Sequence, residues 1–319
     1  MKNFKEKKKP LIILTGPTAV GKTALSIGLA KAVGGEIISA DSMQVYKGMD
    51  IGTAKITPEE MEGVPHYLVD ELEPWEEFNV VVFQKLCKKY MEQIYAKGKI
   101  PIIVGGTGFY IQSVLYDIDF TENEADTSYR QMLERKAEEE GAEALHQELA
   151  KVDPESAEQI HPNNVKKVIR ALEYYHQTGE KISEHNETQR QKESPYDFIY
   201  YVLSLPRKIL YDRINKRVDL MRQEGLEEEV RRLEERGCNR RMVSMQGLGY
   251  KEILDAFAGT CTMDEAFDKI KLETRHFAKR QFTWFRRERT VTWLDKEQYD
   301  SEDALLAHCV EEIRERFLL

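Results

Sequence analysis

The chain has 319 residues, 41% hydrophobic and 32% charged, which is apolar material for one large or two modest globular domains and excludes a disordered chain. Its net charge of −9 excludes a uniformly basic nucleic-acid binder, so any such role must rest on a local patch. The basic stretch 1–10 precedes only four strongly apolar residues, too few for a signal-peptide core, and no later run could span a membrane, so a cytoplasmic chain is expected.

Leu11–Leu14 predicts a buried parallel strand, and Gly16-Pro17-Thr18-Ala19-Val20-Gly21-Lys22-Thr23 follows it. This is the phosphate-loop pattern in its strand–loop–helix context: curled backbone N–H groups face an anion, Lys22 adds a full charge, and the Thr23 hydroxyl is placed to ligate Mg2+. A helix over 24–33 ends at Gly34-Gly35, and a second strand, 36–40, delivers Asp41 and Ser42 to its carboxyl end. Residues 47–79 read as an irregular loop region, 80–96 as a helix, and 100–104 as a third strand closed by Gly105-Gly106-Thr107-Gly108. Alternating strands and helices predict a doubly wound α/β fold with a parallel, P-loop NTPase-like sheet. The loop at 16–23, Asp41 and Thr107 should meet in one crevice beyond the strand ends.

Residues 119–196 turn polar and helical, with Asp153 capping one helix, His161-Pro162 breaking it, and a helix over 165–177 ended by Gly179. The domains expected are a core of 1–118 with 197–319 and a helical insertion of 119–196. Strand 198–203 resumes the sheet; helices follow at 208–235, 250–258 and 263–287, with a short apolar stretch at Trp293. Cys87, Cys238, Cys261 and Cys309 are scattered, which indicates neither a zinc site nor a disulfide scaffold.

Charge is unevenly spread. Residues 121–160 hold twelve acidic against four basic side chains, leaving the rest of the chain near neutral. Within 271–289, Lys271, Arg275, Lys279, Arg280, Arg286, Arg287 and Arg289 face only Glu273 and Glu288, and aromatics interleave with them. This reads either as an RNA-backbone contact or as a surface helix with core aromatics. Asp41 is either a turn aspartate or a working carboxylate; Arg213 and Arg217, four apart on one helix, are either a solvated face or a phosphate clamp. No strand ends in the aspartate of a motor-type site, and no guanine-reading Asn-Lys-x-Asp is present, which leaves small-molecule kinases and transferases with a diphosphate leaving group.

An ordered set of motifs resembles the tRNA dimethylallyltransferase family: the phosphate loop, Asp41-Ser42-Met43-Gln44-Val45-Tyr46, Gly105–Tyr110, His161–Asn164 with Arg170–Glu173, Gly247–Glu252, and Lys279–Arg286. It spans nearly the whole chain; the zinc finger of some eukaryotic relatives is missing. The resemblance implies transfer of a dimethylallyl group from dimethylallyl diphosphate to N6 of the adenosine 3′ of the anticodon, in tRNAs reading codons that begin with U. Diphosphate would leave from the loop 16–23 with Mg2+ on Thr23, helped by Lys22 and by Arg217 or Arg213, and Asp41 would take the N6 proton. Asp41, Ser42, Met43, Gln44 and Thr107 would meet a flipped adenine. Lys166, Lys167, Arg170 and Arg130 would face RNA from the insertion. Gly247, Gly249, Tyr250 and Lys251, with Lys279, Arg280, Gln281, Trp284 and Arg286, would hold the RNA loop. A monomer is expected. The competing readings are an ATP-using P-loop kinase, a noncatalytic RNA-binding module, and a prenyltransferase of free adenine nucleotides.

Overall fold

The computed structural model describes residues 8–120 and 128–318. They form two compact units, one from within 1–115 and 195–319, the other from within 116–194.

The larger unit is built on a six-stranded sheet in which every pair is parallel. Its strands are β1 (Lys9–Thr15), β2 (Gly35–Ser39), β3 (His66–Tyr67), β4 (Ile100–Gly105), β5 (Tyr196–Ser204) and β6 (Thr292–Asp295), in the order β3-β2-β4-β1-β5-β6. Leu11, Ile12, Ile13 and Leu14 are all fully buried, as a central strand covered on both faces requires. β1 lies between β4 and β5, with Leu14 opposite Val104 on one side and Tyr201 on the other.

Helices alternate with these strands: α1 (Lys22–Val33), the single turn α2 (Pro58–Met61), α3 (Val80–Ala96) and α4 (Gly108–Leu115). Gly34 ends α1 in the left-handed region, and Asn79 caps α3 by accepting from the Val81 and Val82 N–H groups. Residues 47–79 carry no strand signal, yet β3 pairs with β2 there. Two residues hold because buried Glu36 of β2 accepts from Tyr67, Lys97 and Lys99 at 2.7–2.8 Å. Burial pushes the Glu36 carboxyl up, but these bonds outweigh it and hold the pKa at about 2.

The second unit carries α5 (Ser128–Glu140), α6 (Ala142–Val152), α7 (Pro154–Gln159), α8 (Val165–Thr178) and α9 (Ile182–Arg190). Its own core gathers Leu133, Leu145, Leu149, Val168 and Leu172. Buried Asp153 caps α7 and accepts from both N–H and hydroxyl of Ser156 and Ser183. Desolvation raises its pKa, and the four bonds more than reverse that.

After β5 the larger unit continues with α10 (Arg207–Gln223), α11 (Leu226–Glu235), α12 (Tyr250–Phe257), α13 (Met263–Phe285) and α14 (Glu302–Phe317). The single helix expected over 208–235 is two helices, because Gly225 takes φ 96° and starts α11 afresh. α14, not anticipated from sequence, packs against α1 through buried Leu305, Cys309 and Ile313, each large side chain worth about 1.5–3 kcal/mol of burial. No described helix is long and apolar enough to cross a membrane.

Candidate active site

Parallel pairing brings the carboxyl ends of β1, β2 and β4 side by side, and the three loops leaving them are stitched together. Thr15 Oγ1 donates to the Gly105 carbonyl at 2.6 Å, Ala40 N–H to Val104 at 2.7 Å, and Thr107 N–H to Ala40 at 3.3 Å. Gln281 of α13 ties the bundle together: its Oε1 accepts the Thr18 N–H at 2.9 Å, and its Nε2 donates to the Gly106 carbonyl at 3.0 Å. A Cβ on Gly106 would sit 2.2 Å from that Nε2, so only glycine admits the brace. Gln281 is buried with both amide ends engaged, which corrects its expected RNA contact to a buttress of the phosphate loop. The Thr18 N–H is also committed to this bond.

Lys22 curls over the loop and donates to the Gly16 and Pro17 carbonyls at 3.0 and 2.9 Å. Desolvation is the largest influence on it; Asp41 acts to raise its pKa and Arg217 to lower it, and the result falls from 10.5 to about 8. Asp41 and Arg217 thus both bear on the Lys22 ammonium. Asp41 Oδ1 accepts from the Met43 N–H at 2.8 Å and the Gln44 N–H at 3.3 Å. Its Oδ2 has no hydrogen-bond partner among the described residues, so the turn orients the carboxylate and leaves one oxygen for other work.

Arg213 and Arg217 share a face of α10. Arg213 Nη1 lies 3.9 Å from the position of a Cβ on Gly21. The Arg217 guanidinium has its pKa lowered by desolvation, against the pull of Glu60. Arg222 instead pairs with Asp264 at 2.7 Å. Lys296, which no sequence signal singled out, donates to the Val20 carbonyl at 3.4 Å and pairs with Glu302 at 2.5 Å. In a trans peptide the carbonyl and the next N–H point opposite ways, so holding the Val20 carbonyl also fixes the direction of the Gly21 N–H. The Thr23 hydroxyl is exposed and makes no hydrogen bond among the described residues. Mg2+ prefers one or two protein oxygens with phosphate oxygens and waters, so this lone hydroxyl suits it. No cluster of three or more His, Cys, Asp or Glu able to hold a metal occurs among the described residues.

Several expected RNA contacts are spent inside the fold. Tyr250 is fully buried, and its hydroxyl donates to Glu229 Oε1 at 2.7 Å; Gly249, also buried, is the N-cap of α12. Both are structural. The same Glu229 carboxylate accepts the N–H groups of Asp50, Ile51 and Gly52 at 2.8–3.1 Å, pinning the loop after Tyr46 to α11. Gln44 holds Ser39 at one end and the Thr53 and Ala54 carbonyls at the other. The Met43 methyl rests against Gly247, which sets the 247–249 turn beside the Asp41 loop. Trp284 lies against Gly108 and edge-on to Phe109 at 6.1 Å, clamping α13 to α4. Lys271 is paired with Asp219 at 2.5 Å and Arg275 bonds Asn215 at 2.7 Å, so the lower half of the basic stripe is used in packing on α10.

Lys279, Arg280 and Arg286 remain exposed. Lys251 is half-exposed, 3.6 Å from Glu252, and Ser42 and Thr107 are half-buried, the Thr107 hydroxyl without a partner among the described residues. Within the second unit Lys166, Lys167 and Arg170 share the exposed side of α8, while Arg130 grips Glu173 with two bonds at 2.7 and 2.9 Å. That pairing makes Arg130 a brace between α5 and α8.

Comparison with known proteins bears on this arrangement. The family model described as IPP transferase matches residues 44–288, and one described as isopentenyl transferase matches 9–73. The chain is 60% identical to a tRNA dimethylallyltransferase of Lachnoclostridium phytofermentans over 311 residues, covering 98% of this chain and 99% of that protein. It is 50% identical to the same-named protein of Acetivibrio thermocellus, over 93% of this chain and 95% of that one. Among solved structures it resembles the tRNA delta(2)-isopentenylpyrophosphate transferase of Staphylococcus epidermidis, with a TM-score of 0.72, 46% identity, and coverage of 97% and 100%. A eukaryotic dimethylallyltransferase acting on tRNA superposes with a TM-score of 0.81 at 31% identity, over 95% of this chain and 79% of that one.

Proposed function

The chain belongs to the IPP transferase family, and from that premise we propose how its residues carry out the reaction. It moves the dimethylallyl group of dimethylallyl diphosphate to N6 of the adenosine immediately 3′ of the anticodon, in tRNAs reading codons that begin with U. The observation that carries the residue assignment is the open Oδ2 of Asp41, a carboxylate that with Arg217 acts on the Lys22 ammonium of the phosphate loop.

Two demands shape the step. The adenine amine is a poor nucleophile because its lone pair is delocalised into the ring, and the allylic C1–O bond must break as charge grows on diphosphate. In the transfer, N6–C1 forms, C1–O breaks with its electron pair leaving on diphosphate, and the N6 proton passes to Asp41 Oδ2. An aspartate suffices as base because the amine becomes strongly acidic only as its bond to carbon forms. N–H groups of the loop from Ala19 to Thr23, with Lys22 and Arg217 or Arg213, hold the leaving diphosphate. Mg2+ on the Thr23 hydroxyl would neutralise part of that charge. Alignment of N6 with C1 contributes as much as the base.

The adenosine must leave its stack to enter the cleft. We assign Ser42, Met43 and Thr107 to its face, and Lys251, Lys279, Arg280 and Arg286 to the RNA backbone around it. The second unit, with Lys166, Lys167 and Arg170 on one exposed side, is the further RNA-gripping domain. A cytoplasmic monomer goes with this reading.

The deciding assay supplies Mg2+, radiolabelled dimethylallyl diphosphate and unmodified tRNA. Label in tRNA is expected; ATP turnover without label would turn the reading to a kinase, and label on free AMP would turn it to a nucleotide prenyltransferase.

A further inference from the structure

Beyond the carboxyl ends of β5 and β6 lies a second cavity, of about 550 Å3, walled by Arg207 of α10, Lys279 and Phe282 of α13, Arg286 just past its end, and Trp293 and Asp295 of β6. None of the phosphate-loop residues, Asp41, Arg213, Arg217 or Lys296 lines it, so it is distinct from the catalytic cleft. Its volume falls within the range of small-ligand sites.

Two features of its wall suit a ligand with two chemical ends. Arg207, Lys279 and Arg286 are exposed, and among the described residues none of the three meets a carboxylate in an ion pair. Beside them the rings of Phe282 and Trp293 lie nearly parallel, 10° apart in plane and 6.3 Å between centroids, and Trp293 is 39% exposed. An anion satisfies the cations; a flat aromatic ring satisfies the exposed indole. The Asp295 carboxylate, held by the Glu297 N–H at 3.2 Å, offers an acceptor to a ring amine. A phosphorylated nucleoside has all three parts. Lys279 also walls an adjoining cavity of about 370 Å3 with Arg280 and Arg287, so the basic surface runs on past one nucleotide's length. A polymer uses both cavities; a free nucleotide uses one.

We propose that this cavity binds one unpaired RNA nucleotide, its base on Trp293 and its phosphate on Arg207, Lys279 and Arg286, separate from the adenosine that enters the catalytic cleft. The inference rests on the tRNA reading above. Trp293 stands on the edge strand of the sheet, and the affinity for a diphosphate analogue reports whether its replacement leaves the larger unit folded.

The test measures binding of a fluorescent anticodon stem-loop RNA to the full chain and to Trp293→Ala, Trp293→Phe and Arg207→Gln. Trp293→Ala should weaken binding about tenfold, and Trp293→Phe should restore most of it, because stacking needs a ring and not an indole. Arg207→Gln should lower the slope of log affinity against log salt by about one. Affinity for a dimethylallyl diphosphate analogue should not change in any variant. RNA affinity of Trp293→Ala within twofold of the parent overturns the proposal, as does Trp293-dependent binding of AMP with RNA binding intact, which would make the cavity a free-nucleotide site. Prenyl transfer by the unsubstituted chain is measured on the same RNA, so a failed cavity and a failed reaction give separate results.

Discussion

Lys22 should take up a proton when diphosphate arrives. From 10.5 to about 8, at about 1.4 kcal/mol per pH unit, keeping the ammonium charged against burial and Arg217 costs roughly 3 kcal/mol. A bound diphosphate reverses the sign of the local field and returns the pKa toward its ordinary value. With a starting pKa of about 8, roughly a tenth of Lys22 is neutral at pH 7 and about three quarters at pH 8.5. Binding of a non-transferable dimethylallyl thiodiphosphate at fixed Mg2+ should therefore capture about 0.1 proton at pH 7 and about 0.75 at pH 8.5. Titration calorimetry in buffers of different ionisation enthalpy reads this number directly, and apparent affinity should fall as pH rises through 8. The same shift fixes a stability effect. The unfolded chain holds the Lys22 proton up to about pH 10.5 and the folded chain only to about 8, so the penalty on folding is full below pH 8 and fades between 8 and 10.5. Lys22→Met should thus unfold at a higher temperature than the parent at pH 7 while losing diphosphate binding. Absent proton uptake at pH 8.5, or a Lys22→Met chain that is less stable at pH 7, would refute the reasoning.

Asp41→Asn should cut turnover by about 10²–10⁴ while stem-loop RNA still binds, and near-normal turnover would remove the base from the mechanism. Lys296→Met should raise the KM for dimethylallyl diphosphate several-fold with a smaller change in kcat, and Lys296→Arg should recover it, because the group sets a loop peptide and stays off the substrate. Glu229→Ala leaves three partly buried N–H groups and the buried Tyr250 hydroxyl unpaired; it should cost about 3 kcal/mol, read as a drop in Tm of roughly 6–10 °C. Replacing Arg280 and Arg286 by Gln should weaken RNA binding and reduce its salt slope by about two, with diphosphate affinity unchanged.

The sheet was legible where burial writes a continuous apolar run: β1, β4 and β5 stand out because both faces are covered, and α1 and α3 because Gly34 and Asn79 mark their ends. β3 left no run to find, since two residues hold by side-chain bonds to Glu36. α4 was hidden by the glycines that open it, and Gly225 splits α10 from α11 inside an unbroken helical pattern. In the site, motif spacing pointed to Lys22, Thr23 and Asp41. It could not separate residues that touch a ligand from residues that hold the ones that do. Gln281 and Tyr250 sit in motifs as supports, and Lys271 and Arg275 carry charge that Asp219 and Asn215 absorb. Glu229 and Lys296 belong to no motif; their parts arise from contacts across 177 or more residues of chain.

The bracing of the phosphate loop has a consequence for biosynthesis. The ribosome emits Gly16–Thr23 well ahead of their supports: the strand on one flank of β1 comes with residues 196–204, the glutamine that fastens Thr18 at 281, and the lysine behind Val20 at 296. At about 5–20 residues per second, the interval from 22 to 204 is roughly 9–36 s, during which a strand of Leu11-Ile12-Ile13-Leu14 lacks one neighbour. The nascent chain must shelter that strand until β5 is made, and messages stalled before the codon for Gln281 yield polypeptides whose anion cradle is never closed.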